Sequence, residues 1–524
     1  MGGVQQGAAF AADWLVVLPV VLALATAALL VVARGGRELQ WGGALLGVAA
    51  VALVDAALLA RVLELGPVSM TMGNWLPPFG ISFTVDVLGA VFALAAAVVT
   101  LLLLVYLRMD LPERAREQGV YPLILLLLAG VSGAFLTGDL FNLYVWFEVM
   151  LIASFGLMAL GGRPLQLDAT VKYGFLNFLA TAFFLLALGL LYGLLGTLNM
   201  ADIIGQAATA APAPLAGIAA LLLLAFGVKA AAFPVNAWLP ASYHAPPPAI
   251  SALLAGLLTK VGVYALLRSF GMLLPGAREL LDPVLALVAI GTLLLGPLGA
   301  IAETNLRRAL GFLLIGGVGA CIAGLALGNL AGLGGAVAYT LHAMLTMSAL
   351  YMLAGLIEAM TGATDTREMG GLYAAASLPS ALFFVLMLAV AGVPPFLGFW
   401  PKLLLVDGGI ARWGFGADGW ALALWLAVLA NALLSLIAGA RLWAHIFWRP
   451  GHEGAGAELP NPDLRPLGRR ARTLGLVPTA LLTLLVLLLG LFPEPLLAFA
   501  RDGARGLLDP AHYIAATGLA EAAR

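Results

Sequence analysis

Long apolar stretches follow one another along almost the whole chain, with short polar connections between them. A helix needs about 20 apolar residues to cross a bilayer, and counting such stretches gives fourteen spans. Their centres lie near residues 23, 52, 96, 129, 150, 182, 223, 258, 292, 318, 344, 390 (continuing to 410), 432 and 482. The pattern predicts an all-α polytopic membrane protein, with residues 1–524 forming a single membrane domain.

The connections between the spans alternate between basic and nearly neutral. The basic set holds 16 of the 26 arginines and lysines: Arg34, Arg37, Arg108, Arg114, Arg116, Arg163, Lys172, Arg307, Arg308, Arg367, Arg441, Arg449, Arg465, Arg469, Arg470 and Arg472. The other set holds seven: Arg61, Arg268, Arg278, Arg412, Arg501, Arg505 and Arg524. Because basic connections stay on the cytoplasmic side, we predict that both termini lie outside. The Pro-, Gly- and Arg-rich loop at 449–472 then faces the cytoplasm.

Composition excludes several classes of function. Apolar residues make up 62% of the chain, against roughly 45–50% in soluble domains. The net charge is −1, so there is no basic surface to neutralise the phosphates of a nucleic acid. The single cysteine, Cys321, provides neither a disulfide framework nor a cysteine metal cluster. The first residues lack a basic segment before the apolar run, so we expect no cleavable signal peptide. The sequence contains no nucleotide loop or haem motif, and we expect no cofactor.

The chain has only four lysines, and three of them, Lys229, Lys260 and Lys402, lie inside apolar stretches. An ammonium group in hydrocarbon costs roughly 3 kcal/mol on insertion scales. A lysine near the end of a span can avoid this cost by extending to the headgroups. That alternative suits Lys172, which follows a polar loop, but not Lys260 in the middle of AISALLAGLLTKVGVYALL. We therefore interpret the three buried lysines as titrating groups or parts of an ion path.

Two spans are interrupted by proline, FGVKAAAFPVNAWLPASYHAPPPAIS just after Lys229 and VAGVPPFLGFWPKLLLV just before Lys402. The prolines that break the helices are Pro234, Pro240, Pro394, Pro395 and Pro401. Proline removes a backbone donor and clashes with the preceding turn. Freed carbonyls at membrane depth are tolerated only where they line a wet cavity or are buried in protein. Broken helices in corresponding positions are typical of internally repeated transporters and indicate the ion site; kinks without function are the alternative.

A glutamate extends this series of polar residues. Glu148 lies in NLYVWFEVMLIASFGLMAL, where no neighbour in sequence can neutralise it. Lys229, two spans further on, is its predicted counter-ion. We expect the pair to act as a switch, in which Lys229 holds its proton while Glu148 is close and passes it to Lys260 when Glu148 moves or is protonated.

Two histidines are candidate relays. His342 has a reference pKa of about 6.5 and suits a relay between Lys260 and Lys402, while Thr259 and Ser348 can hold bridging water. His244, in the loop SYHAPPPA, is a candidate relay at the edge of the path. For each histidine, a structural role is the alternative.

Three segments carry a resemblance to a known family. TGDLFNLYVWFEVMLIASFGLMAL, KAAAFPVNAWLPASYHAPPPAISALLAGLLTKVGVYALLR and AGVPPFLGFWPKLLL resemble the antiporter-like subunits shared by respiratory complex I, membrane-bound hydrogenases and Mrp-type multisubunit cation/proton antiporters. The segments GDLFNLYVWFEVMLIASFGLM and LLDPAHYIAA resemble the D-type chains of Mrp antiporters more than the complex I subunits. The resemblance covers residues 10–515, nearly the whole chain.

The resemblance implies a fourteen-helix fold with two inverted five-helix repeats. These are spans 4–8, residues 121–275, and spans 9–13, residues 283–446, with spans 7 and 12 broken. The flanking helices lie within 13–107 and 471–495.

The resemblance also implies a hydrated axis of charged residues across the middle of the membrane. The residues that match the functional positions of the family are Glu148, Lys229, Lys260, His342 and Lys402. Several relatives place another lysine one turn after the histidine, where this chain has Thr346 and Met347. If the family's proton path requires that lysine, the second half of the path in this chain must run through water or hydroxyl groups instead.

The function implied is ion translocation without catalytic residues or a bound metal. Proton movement would drive the export of Na⁺ or another monovalent cation, in a hetero-oligomeric complex of the bacterial cell membrane. The alternative is a proton-pumping subunit of complex I or of a membrane-bound hydrogenase, driven by electron transfer in a partner. A non-conducting scaffold is a third possibility, in which the polar residues would have no role.

Overall fold

The computed structural model describes residues 14–33, 36–75, 78–111, 119–416, 418–451 and 461–519. The predictions about the two ends of the chain lie outside the described residues. The same holds for Arg34, Arg114 and Arg116, and for the middle of the 449–472 loop.

The described residues form a helical bundle. Its helices are α1 (Leu18–Val32), α2 (Arg37–Leu65), α3 (Val87–Asp110), α4 (Val120–Leu136), α5 (Leu140–Met158), α6 (Pro164–Leu195), α7 (Met200–Thr209), α8 (Pro212–Ala230), α9 (Trp238–Ser242), α10 (Pro248–Leu266), α11 (Pro275–Ala302), α12 (Leu306–Leu327), α13 (Leu330–Thr361), α14 (Leu372–Ala375), α15 (Ser377–Ala391), α16 (Phe399–Gly416), α17 (Gly419–Trp443), α18 (Arg469–Ala471), α19 (Val477–Leu491), α20 (Glu494–Leu508) and α21 (Ala511–Ala516). Wider π-helical turns continue α10 to Leu273 and α17 to Trp448, and another joins α18 to α19.

Eleven helical segments of the described chain are long and apolar enough to cross a membrane, and α1, α4 and α15 are shorter apolar helices. Each of the fourteen predicted span centres falls within a helix. The all-α membrane fold is therefore confirmed, while the number of spans and their orientation stay predictions. The sequence did not predict one small hairpin, in which β1 (Val68–Thr71) pairs antiparallel with β2 (Ser82–Val85).

Three helices occupy the centre of the bundle. The apolar window of α10 and its continuation is 100% buried, and the corresponding values are 94% for α12 and 89% for α13, against 33% for α2 and α6. A helix that is apolar on all sides belongs in the interior of a bundle. Since α10 carries Lys260 and α13 carries His342, two of the predicted site residues lie in the best-shielded part of the protein.

The loops that precede α5 and α12 are built alike. Before α5, Asp139 pairs with Asn199 in an isolated antiparallel bridge. The Leu140 amide donates to the Leu198 carbonyl, and the Met200 amide donates to the Gly138 carbonyl, both at 2.9 Å. Before α12, Asn305 pairs with Asp365 in the same way, and the two corresponding backbone hydrogen bonds are 3.0 and 2.8 Å long. The two pairs have the same separation in sequence, and each fixes the start of a helix against a later loop.

An unpaired carboxyl group lies in the apolar seam of α2. Asp55 is fully buried, as are Val48, Val51, Leu58 and Val62 at helical spacing on the same helix. Neither carboxylate oxygen of Asp55 has a hydrogen-bond partner among the described residues. A buried polar group left without a partner costs about 1–3 kcal/mol, so this position lowers the stability of the bundle.

Replacing Asp55 with valine should therefore stabilise the protein by about 1–3 kcal/mol, because it removes an unsatisfied buried group. Asp55→Asn is the matched control, since it keeps a polar group of the same size and should not stabilise. The measurement is the midpoint of heat-induced aggregation of the purified protein in detergent. A midpoint for Asp55→Val at or below that of Asp55→Asn would show that the carboxyl has a partner or a function.

Candidate functional site

The first helix break lies between α8 and α10. Ala231 follows the end of α8 in a left-handed conformation with φ 61°, the Phe233–Pro234 peptide bond is cis, and the short helix α9 follows. The carbonyl of Val228 accepts hydrogen bonds from the Ala231 amide at 3.1 Å and from the Trp238 indole at 2.9 Å. The end of α8 is therefore capped by donors from the chain itself.

Lys229 lies in the last turn of α8 and is 5% exposed. Its Nζ donates to the Thr181 hydroxyl on α6 at 3.0 Å and lies 4.6 Å from the centre of the Phe147 ring on α5. The Thr181 hydroxyl in turn donates to the Asn177 carbonyl at 3.0 Å. The amine is thus held by a neutral hydroxyl and an aromatic face.

A small cavity adjoins this amine. Its volume is about 20 Å³, and it is lined by Phe147, Met150, Leu151, Tyr173, Asn177, Lys229, Trp238 and Leu258. A site needs about 10–15 Å³ and a few polar partners to hold one water molecule. The cavity meets both conditions, and because it reaches Leu258 on α10 it lies between Lys229 and the helix that carries Lys260.

Glu148 lies on α5, next to Phe147 in sequence, and is half-buried. Its Oε1 has no hydrogen-bond partner among the described residues. Lys229 contacts the ring of Phe147 and bonds to Thr181, and no ion pair joins it to Glu148 in the described part of the chain. The structure therefore places the two predicted partners on neighbouring helices without a direct contact, and the switch between them stays a prediction.

Lys260 lies in the middle of α10 and is 2% exposed. Its Nζ donates to the Ala255 carbonyl of its own helix at 2.5 Å. A Cβ at Gly262 would lie 2.7 Å from the backbone nitrogen of Ala230, so only glycine allows α8 and α10 to approach this closely. That approach brings the backbones of the two lysine-bearing helices together beside the first break.

The sequence predicts that Thr259 and Ser348 hold water near Lys260. The Thr259 hydroxyl is buried and has no partner among the described residues. The Ser348 hydroxyl donates to the Ala252 carbonyl of α10 at 3.3 Å. Thr259 is therefore the better candidate for a water partner of the two.

The second break lies between α15 and α16. Gly392 follows α15 with φ 82°, and the Pro394–Pro395 peptide bond is cis. Lys402, which is 5% exposed, donates from Nζ to the carbonyls of Val390 at 3.1 Å and Ala391 at 2.9 Å. The last carbonyls of a helix carry the negative end of its dipole, so here the amine itself caps the helix that the prolines interrupt.

His342 lies against this second break. A Cβ at Gly398, in the connection to α16, would lie 3.1 Å from His342 Cε1. The Nδ1 atom of the ring is 3.1 Å from the Thr346 hydroxyl, and the ring of Tyr339 packs edge-on at 5.2 Å. Thr346, one turn after the histidine, thus provides a hydroxyl partner for the imidazole.

His244 lies in the connection between α9 and α10, apart from these groups. Its Nδ1 is 3.0 Å from the Pro240 carbonyl. Burial lowers the pKa of His244 below its ordinary value of 6.5, while the hydrogen bond to Pro240 opposes the shift and nearby Arg308 and Arg307 reinforce it. The imidazole is thus bound to the break, and its role as a relay stays a prediction.

Sequence reasoning missed a polar line on α6. Tyr173, Asn177 and Thr181 follow one another at intervals of four residues and are all buried. The Tyr173 hydroxyl pairs with Ser154 on α5 at 2.8 Å, and Thr181 binds Lys229. The i, i+4, i+8 spacing of these polar residues is visible in the sequence VKYGFLNFLATAFF, and it is the signal from which the polar line could have been predicted.

The chain is similar in sequence to known proteins over nearly its whole length. Residues 137–430 match the family described as "NADH:quinone oxidoreductase/Mrp antiporter, TM", a range that contains both breaks and all three buried lysines. The D-type chain of the Na(+)/H(+) antiporter of Bacillus subtilis (strain 168) is 36% identical over 502 residues, which is 96% of this chain and 98% of the relative.

Two solved structures have the same fold over almost their whole length. A chain of the Mrp complex from Dietzia sp. DQ12-45-1b superposes with a TM-score of 0.87 at 29% identity, covering 97% of this chain and all of that one. A chain of respiratory complex I from Thermus thermophilus with bound NADH superposes with a TM-score of 0.78 at 25% identity, covering 94% and 100%. This chain belongs to the NADH:quinone oxidoreductase/Mrp antiporter family of transmembrane proteins.

Proposed function

We propose that the chain is an ion-translocating subunit of a multisubunit monovalent cation/proton antiporter. Protons move along a line of buried groups across the middle of the membrane, and their movement drives the export of Na⁺ or another monovalent cation. The groups of this line are Glu148, Lys229, Lys260, His342 and Lys402, with His244 at its edge. The subunit is a transporter component and has no catalytic residues.

The observation that carries the proposal is the burial of three lysine amines and the kind of hydrogen-bond partners that they have. Lys229, Lys260 and Lys402 are each at most 5% exposed, and within the described residues each donates only to neutral oxygens. A buried ammonium paired with a carboxylate is held charged, whereas one that is bound by neutral groups loses its proton more readily. Three such amines in one membrane bundle suit proton transfer better than they suit structural support.

The geometry also suggests how Glu148 acts on Lys229. The amine rests on the ring of Phe147, one residue before Glu148. A rotation of the Glu148 side chain or a small movement of α5 changes the distance between carboxylate and amine. In a medium of low dielectric constant such a change alters their attraction strongly. The proton released by Lys229 then passes through the water-sized cavity toward α10.

The internal repeat is part of the proposal. The bridge before α5 and the bridge before α12 have the same hydrogen-bond pattern and sequence separation, which supports repeats at 121–275 and 283–446. The positive-inside distribution puts the first bridge outside and the second inside, as an inverted repeat requires. Both termini then face the outside of a bacterial cell membrane, and the other subunits of an Mrp-type complex are the partners.

A proton-pumping subunit of complex I or of a membrane-bound hydrogenase is the second candidate. The likeness to the chain of Thermus thermophilus complex I favours it, with a TM-score of 0.78. The likeness to the Mrp complex chain is greater, at 0.87, and the match to the B. subtilis antiporter chain covers nearly the whole chain. The antiporter is therefore the function that is better supported.

The test is transport by inside-out membrane vesicles that contain the whole complex, expressed in a host without other Na⁺/H⁺ antiporters. Addition of Na⁺ to vesicles with an imposed pH gradient should release protons, measured with a pH-sensitive dye. A complex that is fully assembled, with no response to Na⁺, K⁺ or Li⁺, would overturn the antiporter proposal.

Glu148→Ala should abolish the exchange while the complex still assembles, because Lys229 loses the carboxylate that tunes its proton affinity. Glu148→Asp should retain part of the activity, since the carboxylate is kept on a side chain that is one methylene group shorter. The measurement is the initial rate of Na⁺-dependent proton release. Normal exchange by Glu148→Ala in vesicles with confirmed assembly would remove the switch from the mechanism.

Thr181→Val should lower exchange by about tenfold, because a hydrogen bond to a charged group is worth about 1.5–3 kcal/mol. Valine has nearly the same shape as threonine and lacks the hydroxyl that binds Lys229. Thr181→Ser keeps the hydroxyl and is the matched control, expected to transport at close to the wild-type rate. Equal rates for the two variants would mean that Lys229 does not depend on this contact.

His342→Ala should lower exchange by about tenfold or more, since this chain has no lysine one turn after the histidine. Thr346 occupies that position, within hydrogen-bond distance of the imidazole. Introducing Thr346→Lys into the His342→Ala variant should restore part of the exchange, by supplying another group that can carry a proton. Unchanged exchange in His342→Ala would show that protons bypass α13 between Lys260 and Lys402.

A further inference from the structure

A line of polar side chains continues along α10 beyond Lys260. Tyr264 and Arg268 follow Lys260 at intervals of four residues and so lie on the same face of the helix. Both are fully buried. Because a helix rises 1.5 Å per residue, the line extends about 12 Å from Lys260. It leads to the side of the membrane that the arginine distribution assigns to the outside.

Arg268 is bound on three sides. Its Nη1 and Nη2 donate to the two carboxylate oxygens of Asp86 at 2.7 and 2.5 Å, and its Nε donates to the Tyr264 hydroxyl at 3.0 Å. The Tyr264 hydroxyl donates to the Phe135 carbonyl at 2.8 Å. The guanidinium lies 5.2 Å from the ring centre of Tyr264 and 5.3 Å from that of Tyr513. The side chains of Arg268 and Asp86 are 0% and 8% exposed, so the pair fills the end of the polar line.

A large cavity begins where the pair ends. Its volume is about 720 Å³, and the polar groups that line it are Asp86, Asp502, Arg505, Asp509, His512 and Tyr513. Asp502, Arg505, Asp509 and His512 are half-buried or exposed. Asp86 therefore has one side toward the buried guanidinium and the other toward a polar cavity large enough for many water molecules.

We propose that Asp86 and Arg268 form the outer gate of the route from Lys260, with Asp86 as the carboxylate that accepts the outgoing proton. The inference rests on the proposed function and adds the outer exit to it. Arg268 keeps its own protons throughout, because a guanidinium is not deprotonated in proteins. It acts by its charge and by filling the route.

The steps balance in protons. Lys260 first turns from the Ala255 carbonyl, and the Tyr264 hydroxyl turns from the Phe135 carbonyl. The hydroxyl then takes a proton from Lys260, which becomes a neutral amine, and gives its own proton to the Asp86 carboxylate. The resulting neutral acid no longer holds Arg268, whose side chain turns toward the carboxylates of Asp502 and Asp509 in the cavity. Asp86 then gives its proton to cavity water, and the ion pair forms again.

The first test removes both charges together. Breaking a buried pair on one side leaves an uncompensated charge and endangers folding, so the variant carries Asp86→Asn with Arg268→Gln, which removes both charges and leaves an amide that can hydrogen-bond at each position. The complex should assemble, and Na⁺-dependent proton exchange should fall at least tenfold. Exchange within twofold of wild type in the assembled complex would overturn the gate. Failure of the wild-type complex to exchange would instead overturn the proposed function.

The matched control is another arginine–carboxylate pair on the same side of the bundle. Arg412 on α16 donates to Asp282 on α11 at 2.7 Å and to Asp418 at 2.8 Å. Asp282→Asn with Arg412→Gln should leave exchange close to wild type. A tenfold loss in this control as well would mean that any neutralised pair disturbs the bundle, and the gate would then lose its support.

A second measurement separates a carboxylate acceptor from a packing residue. Cys321 is the single cysteine, so a chain with Cys321→Ala, Asp86→Cys and Arg268→Gln has one thiol, at the floor of the cavity. Membrane-impermeant thiosulfonates added outside intact cells should label it. The adduct that ends in a carboxylate should restore part of the exchange, whereas the trimethylammonium adduct should not. Absence of labelling, or equal exchange with both adducts, would overturn the proposal.

Discussion

The bundle depends on how a charged amine is accommodated where bulk water does not reach. An ammonium at the centre of a membrane costs several kcal/mol unless oxygen atoms replace its hydration. Here the oxygens come from sources within the protein: the hydroxyl of Thr181, the carbonyl of Ala255 and the carbonyls at the end of α15. The interrupted helices supply part of this environment, and the buried central helices exclude lipid from it.

Each break has a buried lysine beside it, but the order of lysine and break along the chain differs between the two. At the first, Lys229 precedes the break and turns to α6, while Trp238 caps the freed Val228 carbonyl. At the second, Lys402 follows the break and caps the helix that precedes it. Lys229 therefore binds a side-chain hydroxyl, while Lys402 is bound to two backbone carbonyls. The two amines consequently differ in the kind of oxygen that replaces their hydration.

Much of this arrangement can be read from the sequence, because apolar length, proline and rare charge are strong local signals. The helices, the breaks and the burial of Lys260 follow from them. The partners of the amines do not: Thr181 lies 48 residues before Lys229, and only tertiary packing selects it. Glu148 shows the limit most clearly, since charge predicts it as the counter-ion of Lys229 but does not identify the Thr181 hydroxyl as the hydrogen-bond partner of the amine.

The central helix α10 meets an arginine–carboxylate pair at each end. At its start, Arg307 donates to Glu358 at 2.9 Å and to the Pro246 carbonyl at 2.5 Å, with the side chains of Arg307 and Glu358 10% and 12% exposed. At its far end, Arg268 holds Asp86. Bidentate or multiply bound arginine pairs are strong when desolvated, so each pair is a strong contact at its end of α10. Lys260 therefore lies on a helix that has a buried ion pair at each of its ends. Under the proposed function, breaking one pair while the other stays formed would expose Lys260 to one side of the membrane, which is the condition that coupled exchange imposes on a central site.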